Sequence, residues 1–174
     1  MIKNNQKKLI IVDVDGTLVF NGEARAKANI DVTGMNPIPE DIYVKLPRST
    51  KQTIHDLIAS KYKRYLRPNK ELIDIINGEN GSKVIVLTGR TSSVEQDTKE
   101  TLDIMGLRYD ELHTNPNKSI RHTQFKSNKL KALTDGFNQV DIYEDNGHNI
   151  DVLKRQADDR FRFFLVNEGG MLRV

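Results

Sequence analysis

The run Leu9-Ile10-Ile11-Val12-Asp13-Val14-Asp15-Gly16-Thr17-Leu18 constrains the fold of this chain more than any other stretch. Four consecutive aliphatic residues mark a strand buried on both faces, the pattern of an interior strand in a parallel sheet. The strand ends abruptly in two carboxylates two residues apart. With a period of two, Asp13 and Asp15 lean the same way while Val14 packs into the sheet, and Gly16 lets the backbone turn. In a doubly wound sheet, ligands bind outside the carboxyl ends of the strands, so this strand end reads as a chemical site. The competing reading is an ordinary Asp-Gly turn.

Three later segments decide between the two. Val84-Ile85-Val86-Leu87-Thr88-Gly89-Arg90 is a second apolar strand that ends in a hydroxyl, a glycine and an arginine. Phe125-Lys126 opens a helical stretch with a lysine, and Val140-Asp141-Ile142-Tyr143-Glu144-Asp145 is a strand that ends in paired acids. A nucleophile, a phosphate binder, a cation and a metal-binding acid thus follow one another along the chain.

Strands are expected near residues 8–14, 83–88, 140–144 and 161–166, with a weaker one at 111–114. Between them, Pro68 suits the first turn of a helix whose apolar face is Leu72, Ile73, Ile75 and Ile76, ended by Gly78 and Gly81. Thr91 or Ser92 suits the cap of a helix that stops at Gly106. A further helix spans about Thr123 to Leu133, and a short one follows Asn149. Alternating strands and helices predict an α/β chain with a parallel sheet covered on both faces. Asp13 and Thr88 are 75 residues apart, whereas one strand-helix-strand step needs about 30. The surplus comprises the Gly/Asn/Pro-marked stretch Asn21 to Pro39 and a basic, helical stretch Ser49 to Tyr65.

These segments, in this order, resemble the four motifs of the haloacid dehalogenase (HAD) superfamily, whose phosphatase branch carries Asp-x-Asp-Gly-Thr first. Thr88-Gly89-Arg90, the Phe125-Lys126 helix start and Ile142-Tyr143-Glu144-Asp145 with His148 are most similar to 3′-phosphatase domains of the polynucleotide kinase type and to RNA-repair-associated relatives. The resemblance implies a single Rossmann-like HAD domain over residues 1–174. It also implies that the surplus segment, residues 21–67, is a small helical cap or flap inserted after the first strand.

Hydrolysis of a phosphate monoester in two steps needs a nucleophile, protonation of the leaving group and neutralisation of the phosphoryl oxygens. Asp13 suits the nucleophile. Asp15 suits general acid and then general base, given a pKa raised by the neighbouring carboxylate and partial burial; in the resembling superfamily this second acid marks phosphatases. Thr88 and Gly89 offer a hydroxyl and a free N–H to phosphate at a loop entering a helix. Arg90 suits a bidentate clamp on phosphate or on an adjacent nucleotide group. Lys126 balances the acids, with Lys129 one turn away as its competitor. Carboxylates and a phosphate dianion on one site imply a hard divalent cation, Mg²⁺, with Asp13 and Asp145 as direct ligands, Asp15 contributing its backbone carbonyl by resemblance, and Glu144 bound through water or standing behind the ligands. His148, Arg25 and Lys27 are further candidates for substrate contact.

Charge is uneven. Between Asp41 and Lys70 stand the bases Lys45, Arg48, Lys51, Lys61, Lys63, Arg64, Arg67 and Lys70 against the acids Asp41 and Asp56, a local +6 in a chain whose net charge is +3. Such a cluster gathers polyanions. The chain has no cysteine, which excludes disulfides, thiolate nucleophiles and cysteine-based zinc sites. Met1 to Lys8 is polar and basic, no stretch is long and apolar enough for a membrane helix, and no Walker lysine loop is present. The expectation is a cytoplasmic Mg²⁺-dependent phosphomonoesterase that forms an aspartyl-phosphate and acts on 3′-phosphorylated DNA or RNA ends. The alternatives are a nucleotidase or small-metabolite phosphatase and, from another class, a catalytically dormant binding module.

Overall fold

In a computed structural model of the protein the described residues are 7–116 and 119–174; Met1–Gln6, most of the polar and basic stretch Met1 to Lys8, lie outside them. In chain order the elements are β1 (Lys8–Val12), β2 (Val19–Phe20), α1 (Gly22–Thr33), α2 (Glu40–Tyr43), α3 (Arg48–Ala59), a 3₁₀ turn at Lys63–Tyr65, β3 (Arg67–Pro68) and α4 (Lys70–Gly78). They continue with β4 (Lys83–Thr91), a 3₁₀ turn at Ser92–Val94, α5 (Glu95–Ile104), β5 (Glu111–Asn115), α6 (His122–Thr134), β6 (Gln139–Glu144), α7 (Gly147–Lys154), β7 (Phe161–Asn167) and β8 (Gly170–Arg173).

Six strands form one sheet in the order β5-β4-β1-β6-β7-β8, parallel except for β8, which returns antiparallel to β7. The period of two in β1 sorts its side chains onto two cores. Ile10 and Val12 join Leu72, Ile73 and Ile76 of α4 and Leu102 of α5 on one face. Leu9 and Ile11 join Phe125 and Leu130 of α6 and Ile150 and Leu153 of α7 on the other. The result is a Rossmann-like α/β layer structure. The chain leaves β1 for β4 on one side and later reaches β6 on the other, so β1 lies at the switch point of the sheet, where a doubly wound fold places its ligand crevice.

β2 and β3 pair antiparallel, Val19 with Pro68 and Phe20 with Arg67, and together form the stem of the segment that carries α1, α2 and α3. This segment has its own small core, in which Ala24 and Ala28 of α1 pack on Ile54 and Ile58 of α3 beside Tyr62.

The structure departs from the sequence expectations in three places. Residues 22–33, read as a Gly/Asn/Pro-marked connection, are helical; the buried apolar residues there are the small Ala24 and Ala28, too weak a signal for an apolar stripe. Pro68 lies in β3, and the following helix is capped by Asn69, whose side chain accepts from Leu72 N. Neither Thr91 nor Ser92 caps α5, because β4 runs on through Thr91 and the helix starts at Glu95.

Candidate active site

Three strand ends and one helix supply the site. Val12 pairs with Val86 on one side and Tyr143 on the other, so Asp13, Thr88 and Glu144-Asp145 emerge at one level of the sheet. Asp13 still donates its backbone N–H to Tyr143 O at 3.1 Å. Beyond it the chain folds into a tight turn in which Val14 O accepts from the N–H groups of Thr17, Leu18 and Val19. Gly16 holds φ +82° in that turn, and a Cβ there would lie 2.5 Å from Cγ of Asp145. Glycine is therefore required both by the backbone and by the approach of the Asp145 carboxylate.

Lys126, buried on α6, places Nζ 2.8 Å from Asp13 Oδ1 and 2.6 Å from Glu144 Oε2. Burial opposes its charge, but the Asp13 and Glu144 carboxylates outweigh that and raise its pKa. Lys129, its competitor in the sequence, makes no ion pair among the described residues. Asn149 of α7 donates to Glu144 Oε1 at 3.0 Å and accepts from Thr123 Oγ1 at 2.5 Å, which fixes the orientation of the Glu144 carboxylate.

Asp13, Glu144 and Asp145 bring carboxylate oxygens within 4.8 Å of one another. One ammonium faces three carboxylates, and the surplus negative charge appears in their proton affinities. Burial pushes Asp13 up to about 8, with Lys126 opposing and Glu144 and Asp145 adding to it. Burial and Glu144 push Asp145 up to about 7. An all-oxygen set with excess charge and one exposed member fits a hard divalent cation.

Asp15 behaves differently from expectation. Its carboxylate turns away from this cluster into a bidentate pair with Arg90, Nε to Oδ2 at 2.8 Å and Nη2 to Oδ1 at 2.9 Å. Burial works to raise the Asp15 pKa, and the Arg90 charge and its hydrogen bonds override it, holding the group well below the usual carboxylate range. The expectation of a raised pKa is thus reversed, and the side chain is no metal ligand in this arrangement. Arg90, expected to clamp phosphate, is instead buried and spends its fork on Asp15, with Nη1 on Thr98 Oγ1 at 3.3 Å. Thr88 and Gly89 face the same cleft, but Thr88 Oγ1 accepts from Arg90 N at 3.2 Å, and β4 continues for two residues past Gly89. The expected loop entering a helix is absent there. A Cβ on Gly89 would lie 2.6 Å from Cγ of His122, so the glycine also makes room for an imidazole.

These groups line a cleft of about 250 Å³. Its opposite wall comes from α1 and α3, with Asn21, Arg25, Gln52, His55 and Asp56. Of the further candidates, Arg25 lines the cleft. Lys27 lies over the Tyr65 ring, 4.4 Å from its centroid, and His148 is exposed and outside the cleft. His55, Gln52, Asp56, His122 and Asn149 escaped the sequence reading. Gln52, His55 and Asp56 stand at i, i+3 and i+4 of α3, a polar stripe beside the apolar Ile54 and Ile58, and that spacing was the available signal; His122 offered none.

The basic segment is partly neutralised. Lys61 pairs with Asp31 at 2.6 Å, Lys63 with Asp97 at 2.8 Å and Glu100 at 2.5 Å, and Arg67 with Glu168 at 3.0 Å. The acids lie outside the segment, which is why a tally along the chain overstated its field. No helix among the described residues is long and apolar enough to cross a membrane.

The arrangement agrees with what the chain is similar to. Its fold matches a chain of the Pnkp1/Rnl/Hen1 complex, with 20% identity, 95% of this chain and 47% of that one covered, and a TM-score of 0.59; a second structure of the assembly describes it as an RNA repair complex. This chain thus spans about half the length of that relative. It is also similar to a haloacid dehalogenase-like hydrolase from Streptococcus pneumoniae (15% identity, 86% and 81% covered, TM-score 0.63) and to Protein Tyrosine Kinase A from Mycobacterium tuberculosis (14% identity, 91% and 83% covered, TM-score 0.66). No curated protein matches in sequence. At these identities the neighbours establish the fold, and one fold hosts several chemistries. The family is decided by a sequence model that matches residues 1–168, nearly the whole chain. With the Asp-x-Asp-Gly-Thr turn, the buried lysine and the paired acids converging on one cleft, the chain belongs to the HAD superfamily, subfamily IIIB, the acid phosphatases.

Proposed function

We propose that the protein is a Mg²⁺-dependent phosphomonoesterase that works through an aspartyl-phosphate on Asp13, with 3′-phosphate ends of nucleic acid as its substrate class. The observation that carries the reaction is the Lys126–Asp13 contact at 2.8 Å. It fixes one carboxylate oxygen and leaves the other to attack phosphorus. As Asp13 forms its bond to phosphorus, the bond to the leaving alcohol oxygen breaks and that oxygen takes up a proton from water in the cleft. Water then attacks the acyl phosphate, releasing inorganic phosphate and regenerating Asp13.

Asp13, Glu144 and Asp145, with the backbone carbonyl of Asp15, would hold Mg²⁺, which when bound neutralises phosphoryl and carboxylate charge. Arg90 keeps Asp15 ionised and aimed, which suits it to accept a proton from water in the second step. Donation to the leaving alkoxide in the first step works against Arg90. Lys126 stays protonated and holds the nucleophile. Segment 21–67 acts as a cap, since α1 and α3 form the wall facing Asp13.

The likeness to a chain of an RNA repair complex supports a polynucleotide substrate, as does Arg25, which lines the cleft without an ion-pair partner among the described residues. A second reading, a small-metabolite phosphatase, is favoured by the pairing of Lys61, Lys63 and Arg67 with acids, which shortens any track for a polymer. A panel of 3′- and 5′-phosphorylated oligonucleotides, free nucleotides and sugar phosphates tests the proposal. The highest kcat/KM on 3′-phosphorylated ends is the expected result; a sugar phosphate or free nucleotide at the top of the panel favours the second reading.

A further inference from the structure

Two histidines in the cleft have no part in the chemistry so far. His55 of α3 and His122 at the start of α6 meet edge to face, with ring centroids 6.0 Å apart and planes at 80°. Both rings line the same cleft as Asp13 and Lys126. Their nitrogens have no hydrogen-bond partner among the described residues, although both side chains are half-buried. His122 also packs directly against Gly89, which lines the cleft beside Thr88.

Polar side chains that line a cleft and make no bond to the protein are open to a ligand there. Both imidazoles are kept neutral. Burial, then the Arg25 charge, depresses His55 to about 4, and burial, then Lys126 and Arg48, lowers His122. A neutral imidazole offers one donor and one acceptor. A hydroxyl, which both donates and accepts, matches that pair of functions, whereas an anion uses only the donor.

We propose that His55 and His122 form a subsite for the alcohol moiety of the substrate, binding a hydroxyl on the carbon next to the phosphate ester. This rests on the reading of the protein as a phosphatase of 3′-phosphate ends, and it deepens that reading: the group so placed on such an end is the ribose 2′-hydroxyl. Ribonucleotide ends are then preferred to deoxyribonucleotide ends.

The test compares kcat/KM for two pairs of substrates that differ by a single hydroxyl. One pair is a deoxyribo-dinucleotide 3′-phosphate and the same molecule with ribose as its 3′-terminal sugar; the other is propyl phosphate and propane-1,2-diol 1-phosphate. Wild type, His55→Ala, His122→Ala and the two Gln variants are measured. A ratio within one preparation does not depend on how much of the protein is folded. The wild type is expected to prefer the hydroxylated member of each pair by about fivefold or more, the worth of one neutral hydrogen bond. Either Ala variant brings the ratio towards one, and Gln, which also donates and accepts, restores part of it. Equal turnover of the two members by wild type, or an unchanged ratio in both Ala variants, overturns the subsite. If neither dinucleotide is hydrolysed but propane-1,2-diol 1-phosphate keeps a histidine-dependent advantage, the nucleic-acid reading fails and the subsite stands.

Discussion

Arg90 grips Asp15 through two parallel hydrogen bonds of 2.8 and 2.9 Å, although 75 residues separate them in the chain. The pair joins the end of β4 to the turn after β1 and determines what Asp15 can do. Held ionised, it can take a proton from the attacking water but has none to give the leaving alcohol. Asp15→Asn is therefore expected to cost about 10²- to 10⁴-fold in hydrolysis of the acyl phosphate and much less in the step that forms it. Pre-steady-state bursts on an alkyl and an aryl phosphate separate the two steps. A first-step loss that is large for the alkyl ester and small for the aryl ester would show instead that Asp15 protonates the leaving group. Arg90→Lys, which keeps the charge but not the fork, should lower turnover with native-like melting.

The charge imbalance of Asp13, Glu144 and Asp145 against Lys126 predicts metal dependence. EDTA should abolish turnover and Mg²⁺ should restore it, while Ca²⁺ substitutes poorly because its coordination is larger and looser. Mg²⁺ should also raise the melting temperature of wild type and do so less for Asp145→Asn. Full activity in a chelated sample, or identical Mg²⁺ shifts in the two proteins, would remove these acids from the metal site.

Lys61, Lys63 and Arg64 look from the sequence like part of a phosphate track, but two of them already face Asp31, Asp97 and Glu100, and Arg64 lies on Tyr65, 4.9 Å from its ring centroid. Replacing all three by Ala should leave the salt dependence of oligonucleotide binding nearly unchanged. A log–log slope that falls by about 0.7 to 0.9 per residue would show instead that they contact the backbone.

His55 makes stability depend on pH on the acid side. It is flanked by Arg25 of α1, by Asp15, by His122 of α6 and by Asp56 on its own helix, and burial with Arg25 lowers its pKa from 6.5 to about 4. Between those values the unfolded chain binds a proton that the folded chain refuses. The contribution is complete above about pH 6.5 and is lost as the pH falls towards 4, by on the order of 1 to 3 kcal/mol. His55→Gln should flatten that limb of a denaturation series; an unchanged limb would place the charge sensitivity elsewhere.

The parts of the fold that were legible in the sequence are those whose signal is local. β1, β4, β6 and β7 declare themselves as aliphatic runs, and Asp13, Lys126, Glu144 and Asp145 stand at recognisable offsets from the ends of those runs or of α6. What was hidden depends on the third dimension. Nothing near Arg90 in the chain says that its fork meets Asp15 rather than a phosphate. α1 was illegible because Ala24 and Ala28 bury too little area to form a visible stripe, and His122 became a wall of the cleft only because Gly89 lets it approach β4. The basic segment misled because the acids that pair with it come from α1, α5 and the β7–β8 turn.

The central claim is that Asp13 becomes covalently phosphorylated. Rapid-quench of wild type with a phosphate-labelled ester, followed by peptide mapping, tests it most directly. A labelled, base-labile acyl phosphate confined to the peptide containing Asp13, and absent from a folded Asp13→Asn protein that no longer turns over, is the predicted result. Label on another residue, or full turnover by Asp13→Asn, would contradict the account.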